Sequence, residues 1–551
     1  MGSVVNAVVK LVSLVPALPQ TATNGVTRNY DFTIARGNIA PDGVNKSVLL
    51  INNAFPGPTL EANWGDMFSI TVHNAIAGPE EGTSLHWHGL LQHNTPWYDG
   101  VPSVQQCPIA PGESMTYTFQ ADLYGTSWYH SHYSAQYAGG LFGPMVIHGP
   151  STNADYDIDV GPVFLSDWYH TDYFTLVEEV MVPGGGAPLS DNNLINGKMN
   201  YNCSLAPDQT CTPNAGISKF QFQSGKKHRL RLINGGAEGI QRFTIDDHTM
   251  TVMANDFVPV QPYQTDVITL GIGQRTDVIV EANLPSDSAV WMRADISGNC
   301  SRITALSHQA VAAIYYEDAD TSSTPTTAAT VYDDSHCRND NLTQTTPFYE
   351  FPSTPSPATT QEIDITFDFN ETNFKVWMMN NQSFRANYDH PLLILANQGN
   401  TSYPDDPQWN VYNFGTNDSV RIIFYNHFPA AHPMHLHGHN FNILAEGVGT
   451  WDGTIEHIEN TQRRDVQLLQ PSNPTTGELG YLVAQYYTDN PGVWPFHCHI
   501  AWHVSAGLYI NVMEQTDAIK DYDLPMSVSE TCRGWAAYSG HDVVDEIDSG
   551  L

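Results

Sequence analysis

The sequence predicts an all-β protein made of three similar domains of β-sandwich or barrel type. Three observations lead there. Long runs rich in Val, Thr, Tyr and Phe are broken by Pro and Gly, while amphipathic helical stretches are scarce. A chain of 551 residues is too long for one core and suits two to four domains. One segment pattern also recurs three times at wide spacing, as structural repeats do.

The repeat reads "GDMFSITVHNA" (65–75), "GKKHRLRLINGG" (225–236) and "NDSVRIIFYNH" (417–427). Each copy begins near a turn, continues as an alternating strand and ends at Asn74, Asn234 or Asn426. Downstream of each lies a second strand pattern with a tryptophan: "GTSWYHSH", "SAVWMRAD" and "GVWPFHCH". The expected division is an N-terminal segment over 1–25 and domains over 26–155, 156–345 and 346–551. The joins fall near 150–160 and in the Ser/Thr/Pro-rich "TSSTPTTAAT" or "FPSTPSPATT".

Fifty-eight acidic against 22 basic residues give a formal charge of −36. Such a surface repels nucleic acid and anionic membranes, so neither is an expected partner. No segment after the apolar start "MGSVVNAVVKLVSLVPALPQ" is long and apolar enough to span a membrane. That start, with Lys10 inside its apolar run, reads as an imperfect signal peptide. Eight Asn-x-Ser/Thr sequons occur, at Asn45, Asn202, Asn299, Asn341, Asn370, Asn381, Asn400 and Asn417. There are seven cysteines; if Cys498 is a ligand, the remaining six suffice for three disulfides. Sequons and an even cysteine count both suggest a secreted glycoprotein.

The copies differ in histidine. The first carries "HWHG" (86–89) and "HSH" (130–132), the third "HPMHLHGH" (432–439) and "HCHIAWH" (497–503). The matching stretches of the second hold only His248, and a lone histidine is more often structural than a ligand. Residues i and i+2 of a strand share a face, so each His-x-His aims two imidazoles at one point. The four pairs are His86/His88, His130/His132, His435/His437 and His497/His499. Eight imidazoles exceed what one ion needs, so a cluster of two or three ions is expected where the first and third domains meet. Cys498 then faces the other way, toward His503 and His432. A thiolate with two imidazoles in trigonal array is a blue-copper electron-transfer set. At the equivalent positions the first repeat has Thr83, Ser131 and Gln136, which cannot replace those ligands. One strand would thus bind an electron acceptor and a multi-metal cluster together, an arrangement suited to reducing dioxygen.

These stretches, "HWHGLLQHNTPWYDGVPSVQQCPI", "GTSWYHSH", "HPMHLHGH" and "HCHIAWHVSAGL", resemble the four copper signatures of laccases, within the multicopper oxidases, over nearly the full chain. The resemblance implies three cupredoxin-like domains and four copper ions. It assigns His86 and His435 to a type 2 copper. One type 3 copper would take His88, His130 and His499, and the other His132, His437 and His497. The type 1 copper would take His432, Cys498 and His503, with Leu508 as a non-ligating axial neighbour. His439 is a motif residue outside the ligand set. "AGGL" at 138–141 departs from the family, where an acidic residue often precedes Gly-Leu. The final "DSGL" (548–551) is similar to the ascomycete laccase terminus, a channel plug there; an ordinary acidic tail is the plain alternative. The subfamily also implies Cys107–Cys532, with Cys300–Cys337 and Cys203–Cys211 following.

By the same resemblance Glu238, in "NGGAEGIQRF", matches a pocket carboxylate that takes a phenol proton, although a loop glutamate needs no such role. Asp99, in "WYDG", matches an acid that delivers protons to the cluster; an Asp-Gly turn is its plain alternative. The function implied is oxidation of phenols or aromatic amines with reduction of O₂ to water, by a monomer without macromolecular partners. A metallo-oxidase, ascorbate oxidase or bilirubin oxidase is the enzymatic rival, and a non-catalytic copper-binding glycoprotein the rival from another class. The 14 methionines are dispersed, unlike those of a cuprous oxidase, and a copper buffer needs no bridging Cys498.

Overall fold

The computed structural model describes residues 25–150, 153–183, 185–301, 307–370, 373–400, 407–416 and 418–540. The "DSGL" tail, Asn417 and most of the N-terminal segment lie outside them. The described chain forms six sheets, two in each third of the sequence. The first domain pairs two four-stranded sheets, and the second and third each pair a six-stranded with a five-stranded sheet.

The sequence repeat is a topological repeat. Thr27–Ile39 runs parallel to Met67–Asn74, Ile158–Trp168 to Lys227–Asn234, and Thr359–Phe369 to Val420–Asn426. The repeated asparagine closes the second strand of each pair. Its side-chain oxygen accepts from the amide two residues on: Ile76, Gly236 or Phe428. Its amide nitrogen donates to two carbonyls, of Glu81 and Ile109, of Gly239 and Leu270, or of Ala430 and Gln470. One buried side chain thereby satisfies three backbone groups where the strand leaves the sheet. Only asparagine offers that donor and acceptor set at that length.

Between the strands Gln309–Tyr315 and Thr359–Phe369 the chain runs without helix or regular strand among the described residues. Disulfides join Cys107 to Cys532, Cys203 to Cys211 and Cys300 to Cys337, leaving Cys498 as a free, buried thiol. Cys532 lies in the helix Met526–Ser539, an element the sequence patterns did not single out. Among the described residues no helix is long and apolar enough to cross a membrane. The apolar core of the first domain is continuous with that of the third, whereas most of the middle domain's apolar residues form a core of their own. The first and third domains therefore meet through packed side chains, and the histidines lie at that seam.

Candidate metal centre

The four His-x-His pairs occupy equivalent places, each straddling the end of a strand. His86 lies in His86–Trp87, His130 ends Gly125–His130, His435 lies in His432–Leu436 and His497 in Gly492–Cys498. The second member of each pair falls just beyond its strand. In the first domain His86 stands opposite His130 on the neighbouring antiparallel strand; in the third, His435 stands opposite His497. Ring nitrogens of His86, His435 and His437, of His86, His88 and His130, and of His132, His437 and His497 each lie within 4.8 Å of one another. His499 joins them through its ring, 5.0 Å from that of His88 and 5.1 Å from that of His130.

Hydrogen bonds fix which nitrogen of each ring is free to bind a cation. A carbonyl can only accept, so a ring nitrogen facing one must carry its proton, and the other nitrogen keeps its lone pair. Nδ1 of His86 donates to the Asp99 carbonyl and Nδ1 of His435 to the Asp465 carbonyl, both at 2.8 Å. Nδ1 of His130 donates to the Ser131 carbonyl at 2.9 Å and that of His497 to the Cys498 carbonyl at 2.8 Å. Carboxylates serve two more: Asp99 accepts from Nδ1 of His437 at 2.8 Å, and Asp465 from Nε2 of His88 at 3.2 Å. The opposite nitrogens of His86, His88, His130 and His435 are buried without a protein partner. Nε2 of His437 and Nε2 of His497 face each other at 3.0 Å. With both Nδ1 protons committed, that contact sets lone pair against lone pair. Burial also pushes the imidazoles down, His497 to about 3, so a shared proton is not the remedy. Neutral, oriented, unpartnered imidazoles around one space are what transition-metal ions require.

Cys498 turns to the opposite side of its strand. Its Sγ lies 3.6 Å from Nδ1 of His432 and 3.5 Å from Nδ1 of His503, and those nitrogens are 3.1 Å apart. Burial pushes the thiol up, so a bound cation must supply the stabilisation of its thiolate. Leu508 is brought beside this set by the backbone: Cys498 N–H donates to its carbonyl at 3.2 Å, and its own N–H donates to the His503 carbonyl at 3.0 Å. His439 points elsewhere, its Nε2 being 3.2 Å from Glu514 Oε1. The matching place in the first domain is filled by hydrogen bonds instead. Gln136 Oε1 accepts from Thr83 Oγ1 at 2.9 Å and from Ser131 Oγ at 2.7 Å.

The middle domain closes the cluster from one side, through residues that no sequence pattern pointed to. Gly273, at φ +86°, lies so near that a Cβ would stand 3.0 Å from both His88 and His499. Arg275 grips Asp465, which orients His88 and His435, through bonds of 2.6 and 2.7 Å. Asp256 and Arg464 extend this buried charge network. Burial pushes the Asp465 carboxyl up while Arg275 opposes the shift.

Around His503 opens a cleft of about 430 Å³, lined by Glu238, Trp377, Phe428, Trp502 and Lys375 among others. His503 is 8 % exposed, while Cys498 and His432 are sealed, so the thiol-and-imidazole set is reached from the cleft through His503 alone. The Trp377 ring packs 4.5 Å from that of His503 and 4.8 Å from that of His432. Glu238 comes from the middle domain on a tightly held loop. The Asp167 carboxylate accepts from the amides of Ala237, Glu238 and Gly239 at 2.6–2.8 Å. Ala501 N–H then ties the loop to the His503 helix through the Ala237 carbonyl at 2.9 Å. A larger cavity of about 790 Å³ on the middle domain surrounds His248. Both nitrogens of that histidine are satisfied, by the Asp246 carbonyl and Tyr316 hydroxyl, so it is a structural residue.

Three family models, each described as multicopper oxidase, match residues 33–152, 159–319 and 356–518. Laccase-2 of Botryotinia fuckeliana is 38% identical over 545 residues, covering 96% of this chain and 90% of that protein. A mutant of the laccase from B. aclada superposes with a TM-score of 0.88 at 36% identity, over 96% of this chain and 95% of that one. Fet3p, described as a multicopper oxidase that functions in iron import, superposes at 0.81 with 28% identity, over 94% and 98% of the two chains. The paired sheets are thus cupredoxin domains, copper is the metal the family implies for these histidines, and the chain belongs to the multicopper oxidases.

Proposed function

We propose that the protein is a laccase-type oxidase, taking one electron at a time from phenols or aromatic amines and reducing O₂ to water. The observation that carries this reading is the position of Cys498. It belongs to the thiol-and-imidazole set, while its covalent neighbours His497 and His499 belong to the octet. The ligand sets would hold four copper ions. His432, Cys498 and His503 hold type 1, and His86 and His435 hold type 2. His88, His130 and His499 hold one type 3 ion, and His132, His437 and His497 the other. When bound, these ions supply one-electron acceptance at the first site and multi-electron reduction of O₂ at the other three.

The chain's own residues do the rest. His503 reaches the cleft, and Trp377, buried against the His503 ring, forms part of the apolar wall beside which an aromatic donor can lie. A phenol that loses an electron also loses its proton, and Glu238 is the carboxylate in the cleft able to receive it. Asp99 holds His86 and His437 at the cluster and is the buried carboxylate from which protons can reach the oxygen side. The balance is four phenols oxidised per O₂, with two waters formed. We also read the chain as a secreted, monomeric glycoprotein, supported by its three disulfides and by sequon asparagines exposed at Asn45, Asn202, Asn299, Asn341, Asn381 and Asn400.

A metallo-oxidase is less well supported. A hard cation such as Fe²⁺ favours several oxygen donors, and Glu238 is the one carboxylate among the described residues lining the cleft. An oxygen electrode decides between the readings on copper-loaded protein with a methoxyphenol, ascorbate, bilirubin and Fe²⁺. O₂ uptake near one per four phenols, without peroxide, is expected. Uptake with Fe²⁺ alone would overturn the laccase reading, and no uptake with any donor would favour a copper-binding protein.

A further inference from the structure

One side chain in the cleft is not used by the chemistry above. Lys375 opens the strand Lys375–Met379 and lines the same cavity as Glu238, His503 and Trp377. Residues 375 and 377 share a face of that strand, and two strand residues span about 7 Å, comparable with a para-substituted benzene ring. Lys375 is half-buried and enters no ion pair among the described residues. Its ammonium stands 5.9 Å over the Phe369 ring, a weak resting contact that an anion can displace. It is the one basic side chain among the described residues lining the cleft, in a protein of net charge −36. Against the net field, which repels anions, Lys375 is the local attraction within this cleft, and a cation in an apolar cleft stabilises a bound carboxylate.

We propose that Lys375 makes the cleft selective for phenols bearing a carboxylate on the side of the ring away from the hydroxyl. This rests on the laccase reading. The phenolic oxygen lies at Glu238 and His503, the ring lies in the cleft between them and Lys375, and the carboxylate meets Lys375. Reversing the ligand would set its carboxylate against Glu238 and leave Lys375 unpaired, so the two charges of the cleft also fix orientation. Lys375 meets the carboxylate and not the oxygen that is oxidised, so its loss changes KM for the acid and not kcat.

The test compares 4-hydroxy-3-methoxycinnamate with its methyl ester, which share ring and oxidisable group. O₂ uptake is followed near pH 6 with copper-loaded full-length wild type, Lys375→Met, Lys375→Arg and Lys375→Glu. Lys375→Met should raise KM for the acid about tenfold, the scale of one charge-assisted hydrogen bond, with kcat and the ester unchanged. Lys375→Glu should raise it further, and Lys375→Arg should restore it. Added salt should narrow the acid-to-ester ratio of the wild type and of Lys375→Arg and leave that of Lys375→Met unchanged. Parallel changes for acid and ester, or an unchanged ratio in Lys375→Met, would overturn the selectivity while leaving the laccase reading intact. Failure of the wild type to oxidise either compound would overturn both.

Discussion

Arg275 and Asp465 meet through two parallel hydrogen bonds, of 2.6 and 2.7 Å, at a point that solvent does not reach. Arg275 belongs to the middle domain and Asp465 to the third, and the same carboxylate accepts from His88 of the first. Three domains therefore share one ion pair beside the cluster. The middle domain thus sets the charge balance against which the histidines are held.

Arg275→Leu should be strongly destabilising. It leaves Asp465 and Asp256 buried without their shared cation, a loss on the order of 3–5 kcal/mol. Arg275→Lys keeps the charge but not the paired geometry and should lose less. The measurement is the first melting transition, with copper content determined by metal analysis. A Leu variant melting like wild type, with full copper, would show that the pair neither welds the domains nor holds His88.

Cys498→Ser should abolish the intense visible absorption expected of a copper–thiolate and with it phenol oxidation. The eight histidines of the cluster are untouched by this change, so most of the copper should remain. Retained colour and turnover would refute the assignment of Cys498, and with it the route linking the two ligand sets.

Much of this was legible in the sequence because the chemistry leaves little choice of residue. Pairs at His86/His88 or His497/His499 must be histidines two apart, and Asn74, Asn234 and Asn426 must be asparagine to close their strands. Even the absence of a second thiolate site could be read, since Thr83, Ser131 and Gln136 fill that place with mutual hydrogen bonds. Arg275, Asp465, Trp377 and Lys375 could not be found this way. Arg275, Asp465 and Trp377 each act through a partner far along the chain, and Lys375 through its place in the cleft, with no spacing rule to announce either. Arg275 and Asp465 are 190 residues apart, and nothing in "GQRTDV" or "RRDVQ" announces that they pair. Glu238 was found through the family pattern alone; the Asp167 clamp that holds its loop left no mark in the sequence.

Glu238→Ala should raise KM for phenols and change their pH profile, while a non-phenolic one-electron donor is oxidised nearly as before. The asymmetry follows because only the phenol must surrender a proton together with its electron. The Asp167 clamp uses backbone amides, so truncating the side chain leaves the loop in place. Equal losses on both donor types would mean that Glu238 shapes the cleft rather than accepting the proton.

Leu508→Met tests the remaining side of the proposed type 1 site. Leu508 is fully buried and is bound through its backbone to both Cys498 and His503, which ties this residue to the thiol-and-imidazole set. Leucine has no donor atom, whereas a methionine sulfur can donate weakly along the axis. Such donation stabilises Cu(II) more than Cu(I), so its absence favours the reduced state and raises the potential. Methionine is close to leucine in volume and flexible, which makes the change tolerable for the core. A redox titration should show the potential falling by an amount on the order of 0.1 V, about 2 kcal/mol for one electron. Oxidation of poorly reducing phenols should slow accordingly, while easily oxidised ones are less affected. An unchanged or higher potential would mean that the sulfur does not reach the metal, and that Leu508 serves only to pack the core and keep water from the site.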